Sequence, residues 1–236
     1  LLRERFVRLW QNCLPQSTPA DADVAWSKVQ RHYSEPHRVY HDPHHLAHCL
    51  EQLDVANGLI NHPDQVEMAI WFHDIINDPG DPANEQRSAD YFRSLSAPHM
   101  DRWFVEAVVE LILVTTHKTT PRDRDQQFIC DIDLASFGCP WECFLRDSAA
   151  VKAEFPGPED AYYRGKKIFL EQLLARPRIF LTDFFNDTGI SGRSIVFTYT
   201  PAALRPTAEL IRNIGELING EVLAPTAIEQ KRTQPF

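Results

Sequence analysis

At 236 residues, 43% hydrophobic and 24% charged, the chain is long enough to bury a sizeable core and ordinary for a soluble globular protein. Its formal net charge of -9 argues against a general nucleic-acid binder, which needs a basic face. No apolar run approaches the roughly 18–20 residues that span a bilayer, and the opening residues carry no apolar core of a signal peptide, so neither a membrane span nor a secretory leader is expected.

The five cysteines (Cys13, Cys49, Cys130, Cys139 and Cys143) are odd in number and scattered. Reduced thiols in a cytoplasmic protein are the expectation.

In chain order, apolar residues recur at helical spacing from Leu1 to Leu14, which predicts a first helix stopped near Pro15. Ser17-Thr18-Pro19 should cap a second, running to about Tyr33. After a break at Glu35 to Arg38, Asp42-Pro43 reads as an N-cap followed by proline at the first helical position, opening a helix from Pro43 to Ile60. Pro63 opens the next, which ends in His73-Asp74. Pro79, Gly80 and Pro82 make Ile75 to Ala83 a loop. Helices are predicted over Asn84–Leu95, Met100–Thr116, Phe128–Phe137, Trp141–Phe155 and Pro158–Ala175, with Pro121 to Asp125 as a charged turn. Ser194 to Thr200 is β-branched and aromatic and is the one strand-like run; Thr207 to Ile218 returns to helix. The expectation is one all-α domain over 1–221, with a short β-like insertion near 190–205 and a tail over 222–236.

Two features do not suit a plain helical core. His73-Asp74 closes the apolar run Val66 to Ile76, and Asp131-Ile132-Asp133 sits within an apolar helix. Buried aspartates and histidines need a cation, hydrogen bonds or a metal. Four of the ten histidines fall between 41 and 48, and His41 and His45 are spaced to share one helical face, as are His44 and His48. Imidazoles combined with carboxylates suit Mn, Mg, Fe, Ni or Zn. Ligands pointing inward from several helices are a known way to hold such an ion. His44 and His48 read as solvated or locally bonded, His32, His37, His62 and His99 as surface, and Lys166-Lys167 as a solvated face.

Five blocks in order resemble the HD-domain superfamily of metal-dependent phosphohydrolases. They are Arg38-Val-Tyr40-His41-x3-His45-Leu46, Ala69-Ile-Trp-Phe-His73-Asp74, Asp78-Pro79 with Asn84-Glu85-x2-Ser88-Ala89, Thr116-His117-Lys118, and Asp131-Ile-Asp133-Leu134-Ala135. They fall within a motif core of about 35–180. The resemblance implies a helical bundle whose metal is held by His45, His73, Asp74 and Asp133, one ion per chain with a second as an option. The first block is also similar to the opening motif of cyclic-nucleotide phosphodiesterases, which implies His41 as the general acid and His45 as the ligand; the reverse is the alternative, as Asp131 is to Asp133. Asp74 would both ligate and orient the attacking water. Arg38, His117, Lys118 and Glu85 are the candidate contacts to a small anionic phosphorylated substrate, with a nucleotide among the options. A non-catalytic metal- or nucleotide-binding sensor and a di-iron oxygenase are the other functions such a scaffold admits. The chain departs from the group at Asn77, where an aromatic residue is usual, and over Gly189 to Pro206. Oligomeric state is left open, a homodimer included.

Overall fold

A computed structural model describes residues 1–14 and 22–187. Within them the chain forms an all-α bundle of ten α-helices: α1 (Leu2–Asn12), α2 (Ala22–Tyr33), α3 (Pro43–Ala56), α4 (Pro63–Phe72), α5 (Asn84–Ser96), α6 (Arg102–Val114), α7 (Arg124–Asp133), α8 (Trp141–Glu154), α9 (Glu159–Leu174) and α10 (Asp183–Asp187). Single 3-10 turns follow α3 and α7. No described helix is long and apolar enough to cross a membrane. The strand-like run 194–200, the helix expected over 207–218, the insertion and the tail all lie outside the described residues, as does the proposed cap at 17–19.

The centre of the bundle is α4. Seven of its ten residues are buried, Gln65 and Val66 together with Met68 to Phe72, and it packs against α1, α3, α5, α6 and α7. A helix that is apolar on all sides has to be surrounded. The Phe6 ring meets Trp71 edge-on at 5.3 Å and stacks on Trp10 at 5.6 Å, so α1 closes one side of this core with aromatic surface.

Several helix ends differ from expectation by a few residues, most of all those of α7. Helix α7 begins at Arg124, where a charged turn was predicted, because the Asp123 side chain caps it by accepting from the Gln126 N–H at 2.9 Å. It ends at Asp133 rather than Phe137, and Ala135–Gly138 tightens into a 3-10 turn. The short α10 was not anticipated at all.

Candidate metal centre

The ligand candidates lie at or close to helix ends. Asp42 caps α3, its carboxylate accepting from the N–H groups of His44 at 2.7 Å and His45 at 3.2 Å, which sets His45 in the first turn facing inward. Consecutive residues inside a helix diverge by about 100° and cannot share a target. His73 and Asp74 escape that limit because α4 stops at Phe72, leaving His73 as its C-cap. Asp133 is the last residue of α7.

These four residues converge. One donor atom from each of His45, His73, Asp74 and Asp133 lies within 4.8 Å of the others, a group that could hold a metal ion. His73 Nε2 is 3.0 Å from Asp74 Oδ2 and 3.5 Å from Asp133 Oδ1; His45 Nε2 is 3.5 and 3.6 Å from the same two oxygens. Both rings are almost wholly buried, at 2% and 6% exposure.

The His73 ring carries the decisive detail. Its Nδ1 donates to the Ile70 carbonyl at 2.8 Å, which leaves the Nε2 lone pair facing two carboxylate oxygens. That buried nitrogen has no hydrogen-bond partner. Lone pairs pointed at lone pairs in a buried site call for a cation between them. The carboxylates draw positive charge into the site, whether as an ion or as protons on the rings. Burial opposes charge on both rings. The Cys49 thiol, the Tyr40 phenol and the two carboxylates nonetheless raise His45 well above its ordinary pKa, and the two carboxylates do the same to His73. Burial likewise opposes charge on the carboxyls. His73, His41 and His45 hold Asp74 far below the usual range, and His117, His45 and His73 do so for Asp133. A second group, His45, Cys49 and His73, also comes within ligand distance. Cys49 Sγ lies 3.7 and 4.0 Å from the two nitrogens of the His45 ring, so it sits beside the ring rather than along the Nε2 lone pair. The imidazole–carboxylate set is the better fit and suits a divalent ion.

Asp131 has another task. Two helical residues are separated by about 200°, so Asp131 and Asp133 leave α7 on opposite sides. Asp131 accepts from the N–H groups of Leu181 and Thr182, each at 2.8 Å, and from the Thr182 hydroxyl at 2.7 Å. It pins the segment before α10. Burial raises its pKa to about 6.

The other site candidates divide. His117 adopts a left-handed backbone, φ 55°, immediately beyond the end of α6. That turn carries its Nε2 to 2.8 Å from Asp133 Oδ2. His41 and Glu85 line the same cavity as Asp74 and Asp133. Burial first, and then the nearby Asp74 and Asp133, raise the Glu85 pKa. Arg38 does not reach the cavity. Its side chain is wholly buried, with Nη1 donating to the carbonyls of His41 at 3.0 Å and Asp74 at 2.7 Å, and Nη2 to that of Ile75 at 2.8 Å. Its guanidinium, stacked 5.1 Å over Tyr33, is a strut for the backbone beside the ligands. Lys118 is exposed and lies outside the cavity lining. Ser88, in the third matching block, accepts from the Ile76 N–H at 3.1 Å and so steadies the loop after Asp74.

Sequence reading missed Glu154. At the C-terminal end of α8, its Oε1 accepts from the N–H groups of Val39 and Tyr40, each at 2.7 Å, and of His41 at 2.9 Å. Its Oε2 lies 2.5 Å from His41 Nδ1 and 3.4 Å from Asn77 Nδ2. Burial alone would raise the Glu154 pKa, but His41 and these backbone donors pull it down to about 2. No local signal marks this residue, which lies 113 positions from His41. His48, read as solvated, instead has a buried Nε2 without a partner, and burial lowers its pKa to about 4.

No family model, no curated protein and no solved structure matches the chain, so any functional reading rests on this cluster and its surroundings.

Proposed function

We propose that the chain is a metal-dependent phosphohydrolase of the HD type, cleaving a phosphoester or phosphoanhydride bond of a small anionic molecule at the His45, His73, Asp74 and Asp133 centre. The observation that carries this reading is the buried, unbonded Nε2 of His73 facing two carboxylates. When bound there, a divalent ion such as Mn, Mg, Ni, Zn or Fe supplies an acidified water and neutralises phosphoryl charge.

The protein's own groups do the rest. His41 donates through Nδ1 to the ionised Glu154, which leaves Nε2 as the end that exchanges a proton with the cavity. With one ring nitrogen held by a carboxylate and the other turned to the cavity, His41 is placed to protonate a departing oxygen. His117 fixes the orientation of Asp133 through Nε2, as partners behind ligating carboxylates do. Asp74, with 22% of its side chain exposed and lining the cavity, is placed both to ligate and to accept from an attacking water. Glu85, in the wall of the same cavity, is placed to meet the substrate.

The test combines metal analysis of the purified chain with a panel of phosphate esters and anhydrides assayed with each divalent ion. One ion per chain and ion-dependent release of phosphate are expected. His73→Ala and Asp74→Ala should lose both; variants that lose the ion but keep full turnover would refute the proposal.

A further inference from the structure

The cavity that opens on Asp74 and Asp133 is larger than a phosphoryl group needs. It encloses about 480 Å³ and extends between α8 and α9, far beyond the ligands. Volumes of this order accommodate a complete small molecule. One wall of the extension is a run of rings that starts at the metal centre: His117 to Phe169 at 6.2 Å, Phe169 to Phe137 at 6.3 Å, and Phe137 to Phe144 at 5.7 Å. At its far end stands Lys166, from α9, whose surroundings its solvated-face reading did not foresee. The ammonium lies 6.0 Å from the Phe144 ring centre and 5.8 Å from that of Tyr162, and Nζ donates to the Ser148 hydroxyl at 3.2 Å. No carboxylate lies within 4.0 Å of it among the described residues, whereas the neighbouring Lys167 pairs with Glu171 and Arg164 with Asp160. Asp147 also lines the lobe but is engaged by Arg146 at 3.1 Å.

We propose that the α8–α9 lobe is a second binding subsite, which takes a flat aromatic or heteroaromatic ring of the substrate along the Phe169–Phe137 wall while Lys166, steadied by Ser148, donates to an oxo acceptor on the ring edge. Its position as the non-reacting end of the substrate rests on the phosphohydrolase reading; its ability to bind such a ring does not. The chemistry of the lobe selects this class. Ring walls favour a flat apolar body, and a single ammonium set among rings gains most from an acceptor that restores the hydration it has lost. Burial lowers the Lys166 pKa to about 8, against a smaller upward pull from the Asp147 carboxylate. A second phosphate group is disfavoured there, because its charge would face one ammonium with the Asp147 carboxylate close by.

Titration calorimetry of the full chain at pH 7 with inosine, which carries a 6-oxo group, purine riboside, which lacks it, and ribose tests the subsite without any turnover. Inosine should bind about tenfold more tightly than purine riboside, the worth of one charge-assisted hydrogen bond, and ribose should show no binding. In Lys166→Met, which keeps the aliphatic stem, the preference should vanish while purine riboside binds as before; Ser148→Ala should weaken inosine alone, and thermal melts of both variants confirm folding. Absence of nucleoside binding to the wild-type chain, or an unchanged preference in folded Lys166→Met, overturns the proposal. Nucleoside binding without phosphate release would fault the phosphohydrolase reading and leave the subsite standing; phosphate release with no ring preference would do the reverse.

Discussion

His41 Nδ1 lies 2.5 Å from Glu154 Oε2, a contact between the entrance to α3 and the end of α8. The same carboxylate gathers three consecutive backbone N–H groups, so one side chain sets both the position of the His41 backbone and the tautomer of its ring. Glu154→Gln keeps an oxygen for the backbone donors but removes the charge behind the imidazole. Turnover should fall about 100-fold, within the range general acid catalysis contributes, while metal content stays at the wild-type level. Steady-state kinetics together with metal analysis checks this, and an unchanged kcat would separate Glu154 from the chemistry.

The same residue predicts an acid limb of stability. Its folded pKa of about 2 is below the ordinary glutamate value of 4.5, so ionisation favours the folded state. The contribution is complete above about pH 4.5 and is lost as pH falls toward 2, because the unfolded chain takes up the proton first. It should be on the order of 2–3 kcal/mol at pH 6. Denaturant titrations at pH 6 and pH 3 would show wild type losing its advantage over Glu154→Gln; parallel losses in both proteins would rule the pair out as the cause.

Asp131 and Asp133 should separate cleanly. Asp133→Asn removes a charged ligand and is expected to reduce metal content sharply. Asp131→Asn retains one acceptor for Leu181 and Thr182, so it should cost about 1–3 kcal/mol of stability and leave the metal in place. Metal analysis beside thermal melts distinguishes them, and equal metal loss in both would contradict the assignment.

Arg38 offers a test between strut and substrate contact. Lysine cannot span the carbonyls of His41, Asp74 and Ile75 together, so Arg38→Lys should destabilise the chain by about 2–3 kcal/mol. If the guanidinium met the substrate instead, the variant would raise KM with little change in unfolding.

What the sequence determined by itself was local. Helical periodicity, the Asp42-Pro43 start and the proline breaks located α3 and α4, since capping and hydrophobic spacing act over a few residues. His73-Asp74 and the Asp131 and Asp133 pair stood out as polar residues at the margins of apolar runs, which something has to satisfy; the choice of His45 over His41 and of Asp133 over Asp131 came only from the resemblance. Tertiary structure decided what those residues meet. Arg38 carries the charge of a phosphate contact and turns out to be consumed by carbonyls. Lys166 looks like a surface lysine until α8 and α9 enclose it among rings. Glu154 has no local signature at all, because its role depends on the N–H groups of Val39 to His41, and only the packing of α8 against the entrance to α3 brings them together. Hydrogen-bond acceptors are chosen by proximity in space, and a residue's type cannot reveal which distant backbone it will serve.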